Sequence, residues 1–368
     1  MAETMPATEA APVRVAFVSD SMPERNGVGA YYADLIGQLE GTEFAPTFVC
    51  PGGATRGGFH FPLPGDATQH VFVPSPREFR RLMKKLQPQV VVVATPGPYG
   101  MLGVRWARKL GARLIVGFHT DYAGVTDLYQ RALLRLFSRG YFRLIDRMMF
   151  RYADHVLANS AQMIEQAEAM GARKVSRIGT LLPKPVLETE FVSPRPTLAQ
   201  VLFAGRLAME KRLHTVLEAA GNLPDIRFVI AGDGPLKGEV EAAAARLSNL
   251  DYVGWLGRPQ LLLQMDAADA LVLPSELESF GNVVLEAMGR GRIAVVTDTC
   301  GIVNWPELAG HMVVFGLDTP LSRVLEEIRR WPDARRIALA EGARRAAHEL
   351  NRASLEQWRS LLRPGHAG

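Results

Sequence analysis

Two carboxylates, Glu278 and Glu286, sit in the run ELESFGNVVLEAMGRG with seven residues between them and Gly281 near the middle. The run follows a short apolar strand, because Leu271, Val272 and Leu273 stop at Pro274. Its second half starts a helix near Asn282, where Val283, Val284, Leu285, Ala287 and Met288 form a packed face. One acid therefore lies on a loop, the other about a turn into a helix. The bare amides of Ser279, Phe280, Gly281 and Asn282 crown that helix, and such a terminus attracts phosphate through free N–H groups and its dipole. Carboxylates beside it accept hydrogen bonds from hydroxyls. The constellation suits a ligand with sugar rings on both sides of a phosphate. Two solvated acids near a helix start are the plainer alternative, since they also complement the dipole.

Further groups point the same way. The strand VLFAG ends in Arg206, and Lys211 follows at the start of the next helix. Such a pair grips a diphosphate from two directions, Arg as a planar fork and Lys as a mobile point charge. IAGDGP carries Gly232 and Gly234 in a tight turn that permits close backbone approach to a ligand, or is simply a βα turn. YVGWLG, Tyr252 to Gly257, is a second glycine-bracketed strand end where backbone groups can read a base. Near the start, VRVAFVSD leads to Gly27 and Gly29 before a helix with Tyr31, Leu35 and Leu39, offering amides to a phosphate or sugar. The third glycine of a dinucleotide fingerprint is replaced by Tyr32 and the loop is longer, which argues against a nicotinamide cofactor. His119 ends the strand Arg113–Phe118, with Asp121 two residues on, and a strand-end polar residue of an open sheet faces the ligand crevice. The next helix carries Arg131, Arg135, Arg139, Arg143, Arg147 and Arg151 among apolar residues, with Gly140 as a candidate break. It reads either as a solvated stripe on a packed helix or as a basic amphipathic element resting on anionic lipid, where Arg131, Arg135 and Arg139 would touch the membrane.

These groups need a frame. Short β-rich runs (Val13–Ser19, Val90–Ala94, Arg113–Phe118, His155–Ala158, Gln200–Ala204, Arg227–Ala231, Ala270–Leu273 and Ile293–Thr297) alternate with helical patterns. That alternation predicts βα units and parallel sheets covered on both faces. The proline-rich stretch Pro183 to Pro196 divides the chain into two α/β halves whose strand ends face a common cleft. The expected organisation is a flexible tail at 1–12, domains at 13–182 and 200–345 joined by a linker at 183–199, and a terminal helix and tail at 346–368. Leu355, Trp358 and Leu362 fit that last helix to pack back across the first half.

The 368 residues suffice for two cores, and 48% hydrophobic with 22% charged residues is soluble globular composition. The longest apolar runs, such as Val90 to Ala94, are too short to span a bilayer, and no secretory segment follows the start. Only Cys50 and Cys300 occur, without metal-type spacing, which favours a reducing cytoplasmic setting. A formal charge of +4 mildly favours anionic ligands or lipid surfaces and argues little for nucleic acid.

Taken together, GRLAMEK, IAGDGP, ESFGNVVLEAMGRG and NGVGAYYADL resemble the retaining nucleotide-sugar glycosyltransferases of family four, over roughly residues 13 to 310. The resemblance implies the GT-B fold, with an N-terminal acceptor-side domain and a C-terminal nucleotide-sugar domain. It implies that Arg206 and Lys211 bind the donor diphosphate, Glu278 the sugar hydroxyls and Glu286 the ribose. The segment from Gly27 to Gly29 would approach the phosphates or sugar, and His119 would border the reacting centre. The co-substrate would be a UDP- or GDP-sugar, with no permanently bound cofactor. The acceptor would be a lipid or glycan, because the His-Thr-Asp-Tyr stretch and basic helix look most like the branch using lipid acceptors. Peripheral attachment to the cytoplasmic membrane face goes with that reading. No D-x-D pair occurs, so the resemblance implies no metal: basic residues and a helix terminus neutralise the leaving diphosphate.

There are departures from the family pattern. GTLLPKP replaces an Asn-Gly-Val-Asp-like turn after Ile178, Arg290 follows Gly289 where relatives carry small residues, and Asn26-Gly27 stands for paired glycines. The rival readings are a nucleotide-sugar epimerase and a noncatalytic, membrane-associated protein that binds sugar nucleotides.

Overall fold

Val90–Val93 is four consecutive valines, all buried, and such a strand belongs in the middle of a sheet covered on both faces. The computed structural model, which describes residues 11–23, 27–52, 58–63, 66–119, 132–193, 195 and 197–363, places it there. The first half runs β1 (Val13–Val18), α1 (Gly27–Leu39), β2 (Phe44–Val49), β3 (Gly58–Leu63), β4 (Asp66–Pro74), α2 (Pro76–Leu86) and β5 (Val90–Val93). It continues with α3 (Pro98–Leu110), β6 (Arg113–Phe118), α4 (Ala132–Tyr152), β7 (His155–Ala158), α5 (Ala161–Ala169) and β8 (Val175–Arg177). Six of these strands form a parallel sheet in the order β2-β1-β5-β6-β7-β8, and β3 and β4 pair as a separate antiparallel hairpin.

The second half runs α6 (Lys184–Leu187), β9 (Gln200–Ala204), a 3-10 turn at Met209–Lys211, α7 (Leu213–Asn222), β10 (Arg227–Ala231), α8 (Lys237–Arg246) and β11 (Leu250–Gly254). Then come α9 (Arg258–Ala267), β12 (Ala270–Leu273), α10 (Asn282–Gly289), β13 (Ile293–Thr297), a 3-10 turn at Gly301–Asn304, β14 (Val313–Phe315), α11 (Leu321–Arg329) and α12 (Asp333–Leu362). Its parallel sheet has the order β11-β10-β9-β12-β13-β14. Two such Rossmann-like halves make the GT-B architecture. Chain order proceeds one way from β9 and the other way from β12, so the loops leaving these neighbours diverge. A crevice opens at their carboxyl ends, where ligands of such sheets bind.

The C-terminal half has one continuous core, whereas the N-terminal sheet separates two apolar clusters. Helix α12 serves both halves. Ala343, Ala346, Ala347 and Leu350 pack into the C-terminal core, and Trp358 and Leu362 enter the N-terminal cluster of Phe17, Tyr31 and Tyr32. The helix starts at Asp333 and passes unbroken through the position where the sequence suggested a division at 345/346. The proline-rich connection is also held: Leu182, Val186 and Leu198 lie in the C-terminal core. Arg292 Nη2 donates to the Val192 carbonyl at 2.6 Å, and Arg195 Nε meets Asp269 at 2.9 Å.

Helix α4 runs through Gly140 without a break, contrary to the expected division, because a glycine on an exposed position weakens a helix without stopping it. Gly27 and Gly29 fall inside the first turn of α1, not in a loop before it.

Candidate functional site

The loops after β9, β10 and β12 build one wall of the crevice by holding each other. Leu207 N–H donates to the Asp233 carbonyl at 2.9 Å, and Gly205 N–H to the Ala231 carbonyl at 3.0 Å. A Cβ at Gly232 would overlap the Gly205 carbonyl oxygen, and one at Gly234 would crowd the Leu207 backbone. These two glycines are thus required by contact between the protein's own turns. The 3-10 turn then brings Lys211 onto the loop after β12, where its ammonium pairs with the Glu278 carboxylate. The expected helix start at Lys211 is this one-turn element, since α7 begins only at Leu213. Arg206 Nη1 lies 3.2 Å from Glu210 Oε1, and the Glu210 carbonyl accepts from Glu276 N–H at 2.8 Å. Burial opposes charge on Lys211, but the charge and hydrogen bond of Glu278 outweigh it and hold its pKa above the usual lysine range.

The loop is fastened from behind. Carbonyls of Glu278 and Phe280 accept from Gly301 N–H at 2.8 Å and Ile302 N–H at 2.9 Å. A Cβ on Gly301 would strike the Ser279 carbonyl, so only glycine allows this approach. Gly281, at φ +99°, turns the chain into α10 in a region that disfavours other residues. With carbonyls engaged behind, the N–H groups of Ser279, Phe280, Gly281 and Asn282 find no backbone acceptor among the described residues. Amides left open at a helix start are groups that can take an anion.

The opposite wall is α1. Asn282 Nδ2 donates to the Gly27 carbonyl at 3.1 Å. Arg258, the first residue of α9, places Nη1 at 2.9 Å from Asp34 of α1 and at 3.4 Å from Glu286 of α10. Burial pushes the Glu286 carboxyl up to about 7, with Arg258 opposing and Asp34 adding to the rise. Burial likewise raises Asp34 to about 6 against the pull of Arg258. Gly29 is packed rather than open, since a Cβ there would overlap the Met22 carbonyl.

His119 stands on this side too. Its Nε2 shares a 2.7 Å hydrogen bond with the Tyr32 hydroxyl, with the Tyr31 ring centroid 5.1 Å away. Gly117 makes room: a Cβ there would collide with both Tyr32 and His119. Burial lowers the imidazole to about 4, so it is neutral near pH 7. A small cavity beside it is lined by Val28, Ala94, Asp146 and Met149. Asp121 and Arg131 lie outside the described residues, as do the side chains of Arg135 and Arg139.

Two family models match this arrangement half by half: glycosyltransferase family 4 over residues 25–180, and glycosyl transferases group 1 over 188–307. The chain belongs to the family four glycosyltransferases. It is 28% identical over 244 residues to the sulfoquinovosyl transferase SQD2 of Arabidopsis thaliana, covering 62% of this chain and 46% of that one. It is 28% identical over 243 residues to a GDP-mannose-dependent alpha-mannosyltransferase of Mycolicibacterium smegmatis, covering 62% and 60%. The chain spans less than half the length of the first curated relatives it matches. Among solved structures, Anabaena HepE in complex with UDP and glucose superposes with a TM-score of 0.67 at 16% identity, over 95% of this chain and 100% of that one. At that identity the match speaks for the GT-B fold.

Within this family member, Arg206, Lys211, Glu278, Ser279 to Asn282 and Glu286 come together on the C-terminal wall, with Gly27 against Asn282. His119 joins through Tyr32 of α1. Gly232, Gly234 and Gly29 support backbone contacts instead. The sequence reading missed Arg258, Asp34, Tyr32 and Glu210. One signal was present: an arginine in the first turn of a helix opposes the dipole, so Arg258 calls for a reason beyond α9 itself. Arg290, a departure from the family pattern, is a structural clamp whose guanidinium binds Asp266 and the Pro185 carbonyl.

Proposed function

We propose that this protein transfers a hexosyl group, with retention at the anomeric carbon, from a nucleoside-diphosphate sugar to a hydroxyl acceptor. The observation that carries the proposal is the Lys211–Glu278 pair beside the open N-terminus of α10. It joins segments 67 positions apart at the crevice between β9 and β12. Arg206, Lys211 and the α10 amides supply positive potential for a diphosphate. Glu278 and Glu286 accept hydroxyl hydrogens on either side of it. A UDP- or a GDP-sugar fits these groups, because none of them reads a base.

In the transfer, the bond from the anomeric carbon to the diphosphate oxygen breaks and its electron pair leaves with the diphosphate. The acceptor hydroxyl forms the new bond on the same face, and its proton passes to the departing phosphate oxygen. Lys211 and Arg206 stabilise the charge that develops, the interaction of greatest value in the transition state. Neutral His119 borders this centre and orients substrate without forming a covalent bond. Contact between α1 and the C-terminal half excludes water.

Thermal unfolding with UDP, GDP and ADP, then with their sugars, tests the donor assignment. A nucleotide at a hundredfold its Kd stabilises the native state by about 2.7 kcal/mol. If none raises the melting temperature, the proposal falls. Sugar transfer to an acceptor, rather than conversion of the donor alone, separates it from an epimerase.

A second reading concerns where the acceptor lies. Helix α4 exposes Tyr141, Leu144, Met148 and Tyr152 along one stripe, with Arg143, Arg147 and Arg151 exposed beside it. No helix among the described residues is long and apolar enough to cross a membrane. An apolar stripe flanked by arginines suits peripheral contact with anionic lipid, and hence a lipid-borne acceptor. Cosedimentation with anionic vesicles at low salt, lost at high salt and with zwitterionic vesicles, is the expected result. Equal sedimentation with both vesicle types would remove this reading.

A further inference from the structure

Four residues of α1 face the C-terminal half at helical spacing. Gly27 accepts from Asn282, Tyr31 meets Trp358 and the Gly179 carbonyl, Asp34 pairs with Arg258, and Gln38 bonds the Leu182 carbonyl and Asn351. Three of the four links are neutral. The charged one runs into the donor pocket, because Nη1 of Arg258 serves both Asp34 at 2.9 Å and Glu286 at 3.4 Å. One cation shared by two carboxylates, only 17% and 12% exposed, is an arrangement in which each acid feels the position of the other.

We propose that Arg258 is a positioning residue: it orients the Glu286 carboxylate toward the donor's ribose hydroxyls and ties that orientation, through Asp34, to the docking of α1 against the C-terminal half. The inference rests on the donor assignment above. Separating the two halves removes Asp34 from Arg258 and leaves the guanidinium to Glu286 alone, whereas docking shares it. Ribose hydroxyls donating to Glu286 favour its ionised form. Binding and docking are therefore linked, and whatever donor binding does to docking, docking does to donor affinity.

The charged groups facing Glu286 are Arg258 from α9 and Asp34 from α1. On the packed helix α12, His348 reaches α10 only at its far end, 3.3 Å from the Gly289 carbonyl. Removing Arg258 makes the Glu286 carboxylate harder to ionise, and removing the charge of Asp34 makes it easier. The two substitutions therefore act in opposite directions, which a general loss of structure would not do.

The test is calorimetric titration of the intact wild type, Arg258→Met, Arg258→Lys and Asp34→Asn between pH 5.5 and 9. The probes are UDP, GDP and their 2′-deoxy forms. Diphosphate ionisation is common to all four proteins and cancels between them. In the wild type, affinity falls as pH drops through about 7, where Glu286 takes up its proton. Arg258→Met moves this limb to higher pH by about one unit or more, and Asp34→Asn moves it lower. Arg258→Lys keeps it near the wild-type position. The preference for UDP over 2′-deoxy-UDP, or for GDP over 2′-deoxy-GDP, narrows in Arg258→Met by about tenfold, the size of a lost charge-assisted hydrogen bond. A limb that stays in place, shifts the same way in both variants, or comes with an unchanged ribose preference overturns the inference. Failure of the wild type to bind either nucleotide overturns the donor assignment, and this inference with it.

Discussion

On the C-terminal side of the cleft, the loops after β9, β10 and β12 hold each other: turns stack backbone on backbone, and Lys211 bonds Glu278 directly. On the N-terminal side, His119 is held by Tyr32, and Tyr31 beside it is held by Trp358, which enters from the far end of the chain. The first wall is set by its own segments. The second depends on a helix that begins at Asp333 in the other half. A wall of the first kind tolerates distant damage, whereas a wall of the second kind transmits it.

Trp358→Ala is the sharpest way to break that contrast. The indole is fully buried among Phe17, Tyr32 and the Tyr31 hydroxyl, to which its N–H donates at 2.6 Å. Truncating a buried tryptophan costs about 3–5 kcal/mol, readable as a lower urea midpoint. Amide exchange should quicken in α1 and β1 while the loops after β9 and β12 stay protected; equal loosening of both walls would refute the division. Next in size, Lys211→Ala should lower kcat about 10²–10³-fold, the range for removing one preorganised donor to developing charge. Its melting temperature should fall too, because the largely buried Glu278 carboxylate loses the cation it pairs with. Wild-type turnover would contradict the assignment of Lys211.

The same contrast explains what was legible in the sequence. Six strands have the ends that the sequence suggested, and all of them lie inside their sheets or beside a long neighbour. β1 and β5 stop one residue earlier than expected, at Val18 and Val93. The strands not anticipated at the sheet edges are β2, β8 and β14, and β11 was read two residues late. Edge strands are half covered, so their apolar signal is weak: β8 has no fully buried residue, and β2 contains Pro46, which an edge tolerates. The grouping of Arg206, Lys211, Glu278 and Glu286 on the C-terminal wall was readable because they lie at fixed offsets from interior strands. Tyr32 was passed over as a replaced glycine, and Arg258 and Asp34 meet only through tertiary contact across 224 positions. No local pattern encodes such a distance.

Gly301→Ala tests whether the C-terminal wall is as self-supporting as its hydrogen bonds imply. The added methyl strikes the Ser279 carbonyl, and overpacking of this kind costs about 1–3 kcal/mol. Because the displaced segment carries Glu278 and the α10 amides, nucleotide-induced stabilisation should fall by more than the melting temperature itself. A protein that loses stability but binds UDP and GDP as before would show that the 297–302 segment does not hold the site.

The smallest effect separates the walls by the sign of their pH dependence. His119 is held at about 4 in the folded chain and returns to about 6.5 on unfolding. The unfolded chain therefore binds the extra proton between those values, so this contribution is complete above about 6.5 and is lost as pH falls toward 4. Glu286, held at about 7, does the reverse: its contribution is present below its unfolded value of about 4.3 and is lost as pH rises through 7. In the wild type the two slopes oppose each other across the same window. His119→Gln keeps a partner for the Tyr32 hydroxyl but removes one slope, so its stability should decline as pH rises from 4 to 7. Glu286→Gln removes the other, so its stability should decline less steeply than the wild type's over that range, because Asp20 and Asp34, both raised to about 6 by burial, still oppose the His119 slope. The separation at pH 5 should be about 2 kcal/mol, since each tenfold change in proton affinity between the folded and unfolded chain is worth about 1.4 kcal/mol. Urea midpoints measured across that window will show two diverging lines if each wall titrates on its own, and parallel ones if neither group is shifted by its burial.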